Sequence, residues 1–301
     1  MVKDYRRLVQ SIMLIIVCLN GLYLSTVHAA QPQNTNAQND QPPLVLGIFP
    51  RRNAADTFMS FSSIARYLSD QLGREVQLET ARDFPEFWKR VTQQRYDIVH
   101  YNQYHYIKSH TEQNYQVILQ NEEFGDKQIA GTILVRKDSE FNSLEDLKNK
   151  KIVFGGGKKA MIAYVVPTAL LRRAGLKDGD YVEGFLKQPP KTVFAVYHKD
   201  MDAAGIGDTF VHIPAVTGRI DVSEIKPLAT SESLAHLPWA VKGSIADSLR
   251  SKIQKVFLSL NDSEQGKAIL KKAKLTGLHK ANDRDYDAHR KILIEVFGDN
   301  Y

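Results

Sequence analysis

With only one cysteine, Cys18, in 301 residues, the chain can be neither a disulfide scaffold, a CxxC redox protein nor a cysteine-rich zinc protein. Catalytic signatures are scarce too. Neither a GxSxG nucleophile elbow nor an HExxH pair occurs. Gly155-Gly156-Gly157-Lys158-Lys159 superficially suggests a phosphate loop. The GxxxxGK[ST] pattern would need Gly at 152 and Ser or Thr at 159, where the chain has Ile152 and Lys159. His100, His105 and His110 are five residues apart, which does not align them on one helical face as i,i+4 spacing does. Carboxylates are plentiful, but no pair is placed compellingly for acid–base work. These absences point away from an enzyme, and no cofactor or metal is expected. Internal repeats at solenoid periods are lacking as well.

The N-terminus carries its own signal. Lys3, Arg6 and Arg7 precede an apolar stretch from Leu8 to Leu24, and Val27-His28-Ala29 offers small residues for signal-peptidase cleavage. That order reads as a cleavable signal peptide over 1–29 and hence an exported, periplasmic protein. Gln10, Ser11, Asn20 and Gly21 interrupt the apolar run and weaken the rival reading as a permanent anchor. Val17 is too bulky to precede a lipidated cysteine, so Cys18 reads as filler. The intact chain has 40 Lys plus Arg against 34 Asp plus Glu, or +6. Losing three bases and Asp4 leaves 37 against 33, or +4, dispersed without a basic stripe for nucleic acid. Residues 30–43 lack apolar periodicity and read as a flexible leader.

Beyond the leader, 43% hydrophobic and 25% charged residues describe an ordinary folded chain. Leu44–Phe49 is a buried-strand run stopped by Pro50. Phe58, Phe61, Ile64, Ala65, Leu68 and Leu72 recur at helical spacing up to Gly73. Val76–Leu78, a helix around Phe84–Val91 and Ile98-Val99 continue the alternation, which predicts a parallel sheet with helices on both faces. A second series starts after Gly131: strands at 132–135, 151–154, 203–206 and 225–229, a capped turn at 143–147, and a helix over 161–174 kinked or started early by Pro167. Three helices, around 245–260, 263–274 and 283–297, close the chain. The expected architecture is α/β with two lobes and a cleft between them: 44–130 with 227–301 as lobe 1, and 131–226 as lobe 2.

Candidate ligand contacts follow from that layout. The turn after the 151–154 strand presents Gly157, Lys158, Lys159 and Ala160 at a helix start, an anion site or simply a tight turn with two solvated lysines. Arg51 and Arg52 follow the first strand at its carboxyl end, as anion contacts or as solvated loop residues. Tyr101, Tyr104 and Tyr106 stand at the next strand end, for the cleft or for lobe packing. Trp239 is a cleft wall or part of the hinge core, and Asp208 a cation acceptor or a strand-end turn. Thr132 completes the set as a hydroxyl donor.

Taken in order, several segments resemble the phosphate/phosphite/phosphonate-binding proteins of ABC importers. The segments are Leu134-Val135-Arg136-Lys137-Asp138-Ser139, Ser143–Ile152, Tyr96-Asp97-Ile98-Val99, Asp202-Ala203-Ala204 and Pro167. The resemblance implies the type 2 periplasmic binding protein fold. It also implies a monomeric solute-binding protein that delivers a small ligand to a membrane permease. The binding motifs depart from the family. Its Ser-Thr-Ser clamp falls on Ala160-Met161-Ile162, its aromatic pair and serine on Ile129-Ala130-Gly131, and its Gly-Pro on Asn102-Gln103. Tyr104 and Tyr106 match its aromatics; its cleft histidine falls on Pro189, and a late segment survives as Ser231 and Leu237-Pro238-Trp239 without its acid. The expectation is capture of a small, anionic ligand with the phosphonate contacts largely lost. A ligand-sensing subunit for a membrane sensor kinase and an enzyme on the same scaffold are the alternatives.

Overall fold

The apolar runs become the central strands of two mixed sheets. In the first, β1 (Leu44–Ile48) lies between β2 (Val76–Thr80) and β3 (Ile98–His100), parallel to both. Three antiparallel strands extend it, β12 (Pro238–Lys242), β4 (Tyr115–Glu122) and β13 (Gly277–Lys280), in the order β13-β4-β12-β3-β1-β2. The second sheet repeats the plan. Its parallel trio is β8 (Val182–Leu186), β7 (Lys151–Gly155) and β9 (Ala203–Gly207), followed by antiparallel β6 (Gly131–Arg136) and β10 (Ile225–Thr230). The expected all-parallel sheet is therefore corrected. A chain returning from the other sheet enters pointing the opposite way, as β12 does when it inserts between β3 and β4.

The computed structural model describes residues 41–51, 53–298 and 301, and residues 41–301 make one compact unit. The signal segment, most of the leader and Arg52 lie outside the described residues. Among the described residues no helix is long and apolar enough to cross a membrane.

Helix ends follow local chemistry. In α1 (Ala54–Leu72), Asn53 caps the Asp56 N–H and Gly73 closes at φ +65°. Asp83 caps α2 (Phe84–Thr92), and Asn102 caps α3 (Gln103–Gln113), a helix not read from the sequence. The helix expected over 161–174 is two pieces: a π turn, Met161–Val165, then α4 (Val166–Arg173). Pro167 explains the division, because its ring and missing N–H are tolerated only in a first helical turn. The chain then adds α5 (Pro189–Tyr197), the short α6 (Pro214–Thr217), α7 (Asp247–Leu258), α8 (Glu264–Lys272) and α9 (Asp287–Phe297).

Two crossings join the sheets, and they pair with each other: β5 (Gln128–Ile129) runs antiparallel to β11 (Leu234–Ala235). Residues 227–230, grouped with lobe 1 in the sequence reading, are hydrogen-bonded into the second sheet as part of β10. One apolar cluster packs α1 and α7 on the first sheet through Ile48, Phe61, Leu68, Trp239 and Phe257. Another runs without a break from Phe49 and Tyr101 through the crossings to Ile133, Val165 and Val296, tying both lobes to α9.

Candidate ligand cleft

Candidate residues gather at the carboxyl ends of the parallel strands, where ligands of open α/β sheets bind. After β3 the chain turns at Asn102, whose side-chain oxygen accepts from the His105 backbone N–H at 2.9 Å and contacts His105 Nδ1 at 2.7 Å. Its amide nitrogen reaches the other lobe and donates to the Lys159 carbonyl at 3.1 Å. The loop it meets follows β7. Gly156, at φ +99°, turns the chain and donates to Leu186 O at 2.8 Å. Gly157, Lys158 and Lys159 stand exposed, and half-buried Ala160 opens the π turn. The two lysines differ. Lys158 pairs with Glu183 of β8 at 3.0 Å, whereas Lys159 forms no ion pair among the described residues and lies 5.9 Å from the Tyr104 ring centre.

Arg51 follows β1 and is already matched. Its Nη2 lies 2.8 and 3.0 Å from the two oxygens of Glu123, in the turn after β4. Asn121 donates to Glu123 at 2.9 Å and accepts from Trp239 Nε1 at 2.7 Å. Burial pushes the Glu123 carboxyl up, but the charge of Arg51, with His236 and the hydrogen bonds, more than offsets this and holds it below its usual range.

The remaining candidates have structural partners. Tyr101 is fully buried, donates or accepts at Ser109 Oγ over 2.7 Å, and packs on Phe87 and Tyr115. Trp239 is fully buried and stacks on His100 at 4.3 Å, beside Phe61 and Phe257, within the lobe 1 core. Thr132 donates to Ala229 O at 2.9 Å. The Asp208 carboxylate accepts from the Ala130 and Thr209 N–H groups at 3.2 and 2.9 Å, fastening the first crossing to the end of β9. Tyr104 is buried at the interlobe contact, against Phe297 and under Lys159. At the family's hydroxyl positions, Met161 and Ile162 are buried in the apolar cluster that spans the lobes.

Sequence reasoning missed Asn102, Glu123, His105 and Phe84. His105 is buried among Phe84, Trp88 and Tyr104, with ring centres at 5.3, 5.3 and 5.2 Å. Burial, then the charges of Lys159 and Lys108, pull its pKa down to about 3, so the ring is neutral. An Asn ahead of a helix was the available signal for Asn102; nothing near Glu123 announces Arg51, whose number differs by 72.

Two mixed sheets joined by two paired crossings define the type 2 periplasmic binding protein fold. The chain belongs to the family described as "ABC transporter, phosphonate, periplasmic substrate-binding protein", which matches residues 46–286. It is a phosphonate-binding-like substrate-binding component of an ABC transporter, in a family that is periplasmic. Solved structures share the fold. PhnD1 from Prochlorococcus marinus, in complex with methylphosphonate, is 18% identical with a TM-score of 0.70, covering 83% of this chain and 96% of that one. A binding protein component of an ABC phosphonate transporter from Pseudomonas aeruginosa is 17% identical, TM-score 0.68, over 85% and 87%. A Xanthomonas citri protein bound to ATP is 15% identical, TM-score 0.70, over 85% and 97%.

Proposed function

We propose that this chain captures a small anion between its lobes and delivers it to a membrane permease, without the contacts that hold simple phosphonates. One observation carries the reading: the Gly-rich loop crosses to the α3 cap through Asn102 and Lys159, and Lys159 brings an ammonium with no carboxylate partner to that contact. Ligand capture by hinge closure needs such a meeting point, and β5-β11 supplies the hinge.

The loss of phosphonate contacts rests on residue chemistry. A buried dianion needs several donors, each worth about 1.5–3 kcal/mol when charged. Ala160, Met161 and Ile162 have no side-chain donor, and the Arg51 guanidinium already serves Glu123. Calorimetry with methylphosphonate, phosphite and phosphate tests this. Weak or undetectable binding is expected for all three, and sub-micromolar affinity for any of them overturns it.

A further inference from the structure

We propose that the ligand is an organic anion with a flat aromatic body, the ring lying on a shelf led by Phe84 and the charge meeting Lys159. The proposal rests on the capture reading above and names the ligand class for the same cleft.

The charge argument is local. Among the described residues, the loops that follow β1, β7 and β8 carry Arg51, Lys158, Lys159 and Lys187. Glu123 pairs with Arg51 and Glu183 with Lys158, while Lys159 and Lys187 form no ion pair among the described residues, and Lys159 is set against the Tyr104 ring.

The shelf has an independent origin. Phe84 is the first residue of α2, and the apolar face that binds this helix to lobe 1 is Phe87 and Val91, both fully buried. The Phe84 ring packs on Phe49 at 6.0 Å yet stays 38% exposed. It stacks on the His105 imidazole at 5.3 Å and 17°, presenting a flat surface backed by a neutral ring. From His105 the aromatic path continues to Tyr104 at 5.2 Å and ends under the Lys159 ammonium, 5.9 Å from the Tyr104 centre. Exposed ring and unpaired ammonium thus terminate one continuous aromatic path, and an aryl anion offers a ring to one end and a charge to the other.

The test crosses ring with charge on the intact mature protein. Benzenesulfonate, methanesulfonate and inorganic sulfate are titrated by calorimetry at neutral pH, with wild type, Phe84→Ala, Phe84→Leu and Lys159→Gln. Benzenesulfonate is expected to bind at least tenfold tighter than methanesulfonate, and sulfate weakest. Either Phe84 change brings the ratio down towards one, the leucine variant showing that flatness rather than apolar volume is read. Lys159→Gln weakens both sulfonates at least fivefold. Equal affinity for the two sulfonates, or tightest binding of sulfate, overturns the inference while leaving anion capture standing. Binding of none of the three overturns both.

Discussion

Replacing Asn102 with serine separates two jobs that one side chain performs. Its oxygen caps α3 at 2.9 Å from the His105 N–H, and its nitrogen crosses the cleft to Lys159 O at 3.1 Å. A serine hydroxyl still accepts at a helix cap, where Ser and Asn are nearly equivalent, but it is too short to span the lobes. Asn102 is 8% exposed, so water competes little for the crossing bond. Such a bond contributes about 1 kcal/mol net. Its loss lowers the ratio of closed to open molecules about fivefold and weakens ligand binding by up to the same factor. Small-angle scattering of the unliganded protein reads this as a larger radius of gyration. The melting temperature should fall by no more than that bond's share, at most about 2–4 °C. Asn102→Ala removes the cap too, at about 1 kcal/mol, and should melt about 2–4 °C below the serine variant. A serine variant whose scattering superimposes on wild type, beside an alanine variant that melts early, would refute the reasoning. The crossing bond would then be incidental to closure.

Two further outcomes follow from the same packing. Glu123→Gln leaves Arg51 without its charge partner and should cost about 3 kcal/mol near neutral pH. Because the Glu123 pKa is lowered from 4.5, its stabilisation is complete above that value and is lost as pH falls through the lower folded one. Urea midpoints of wild type and variant should therefore converge on acidification; a gap unchanged between pH 7 and about 3 would count against a charged pair. Gly205→Ala places a Cβ 2.4 Å from Phe154 Cδ1, on a fully buried ring in the second sheet. That clash should cost about 1–3 kcal/mol, and an unchanged melting temperature would contradict the packing at β9.

The fold was legible wherever an element carried its own period. The α1 stripe is buried from Phe61 to Leu72, but Phe58, which opened it in the sequence, is 48% exposed, and Leu44–Ile48 is buried but for half-buried Val45. What escaped were elements whose burial comes from neighbours. In α3, Gln103, Tyr104, His105, Tyr106 and Ile107 are consecutive buried residues, so no helical stripe exists to be read. Strand β12 begins at Pro238, a residue that argues against a strand, and it sits between two others all the same. Its first residue pairs with β4 at Gln120, while β3 begins to pair with it at Trp239.

The cleft was less legible because its chemistry is decided by partners distant in sequence. Arg51, Lys158 and Lys159 look alike as exposed basic residues after strands, and the net charge of +6 ranks none above another. The structure sorts them. Arg51 meets a carboxylate from beyond β4, Lys158 meets one from the neighbouring strand, and Lys159 meets an aromatic ring. Each pairing removes a charge from what a ligand can use. The surplus of bases that a count reports therefore says little about the charge a ligand meets. The relevant quantity is the number of cations left unmatched at the strand ends. Among the described residues Lys159 is such a cation, carried by a loop whose own carbonyl is held from the opposite lobe.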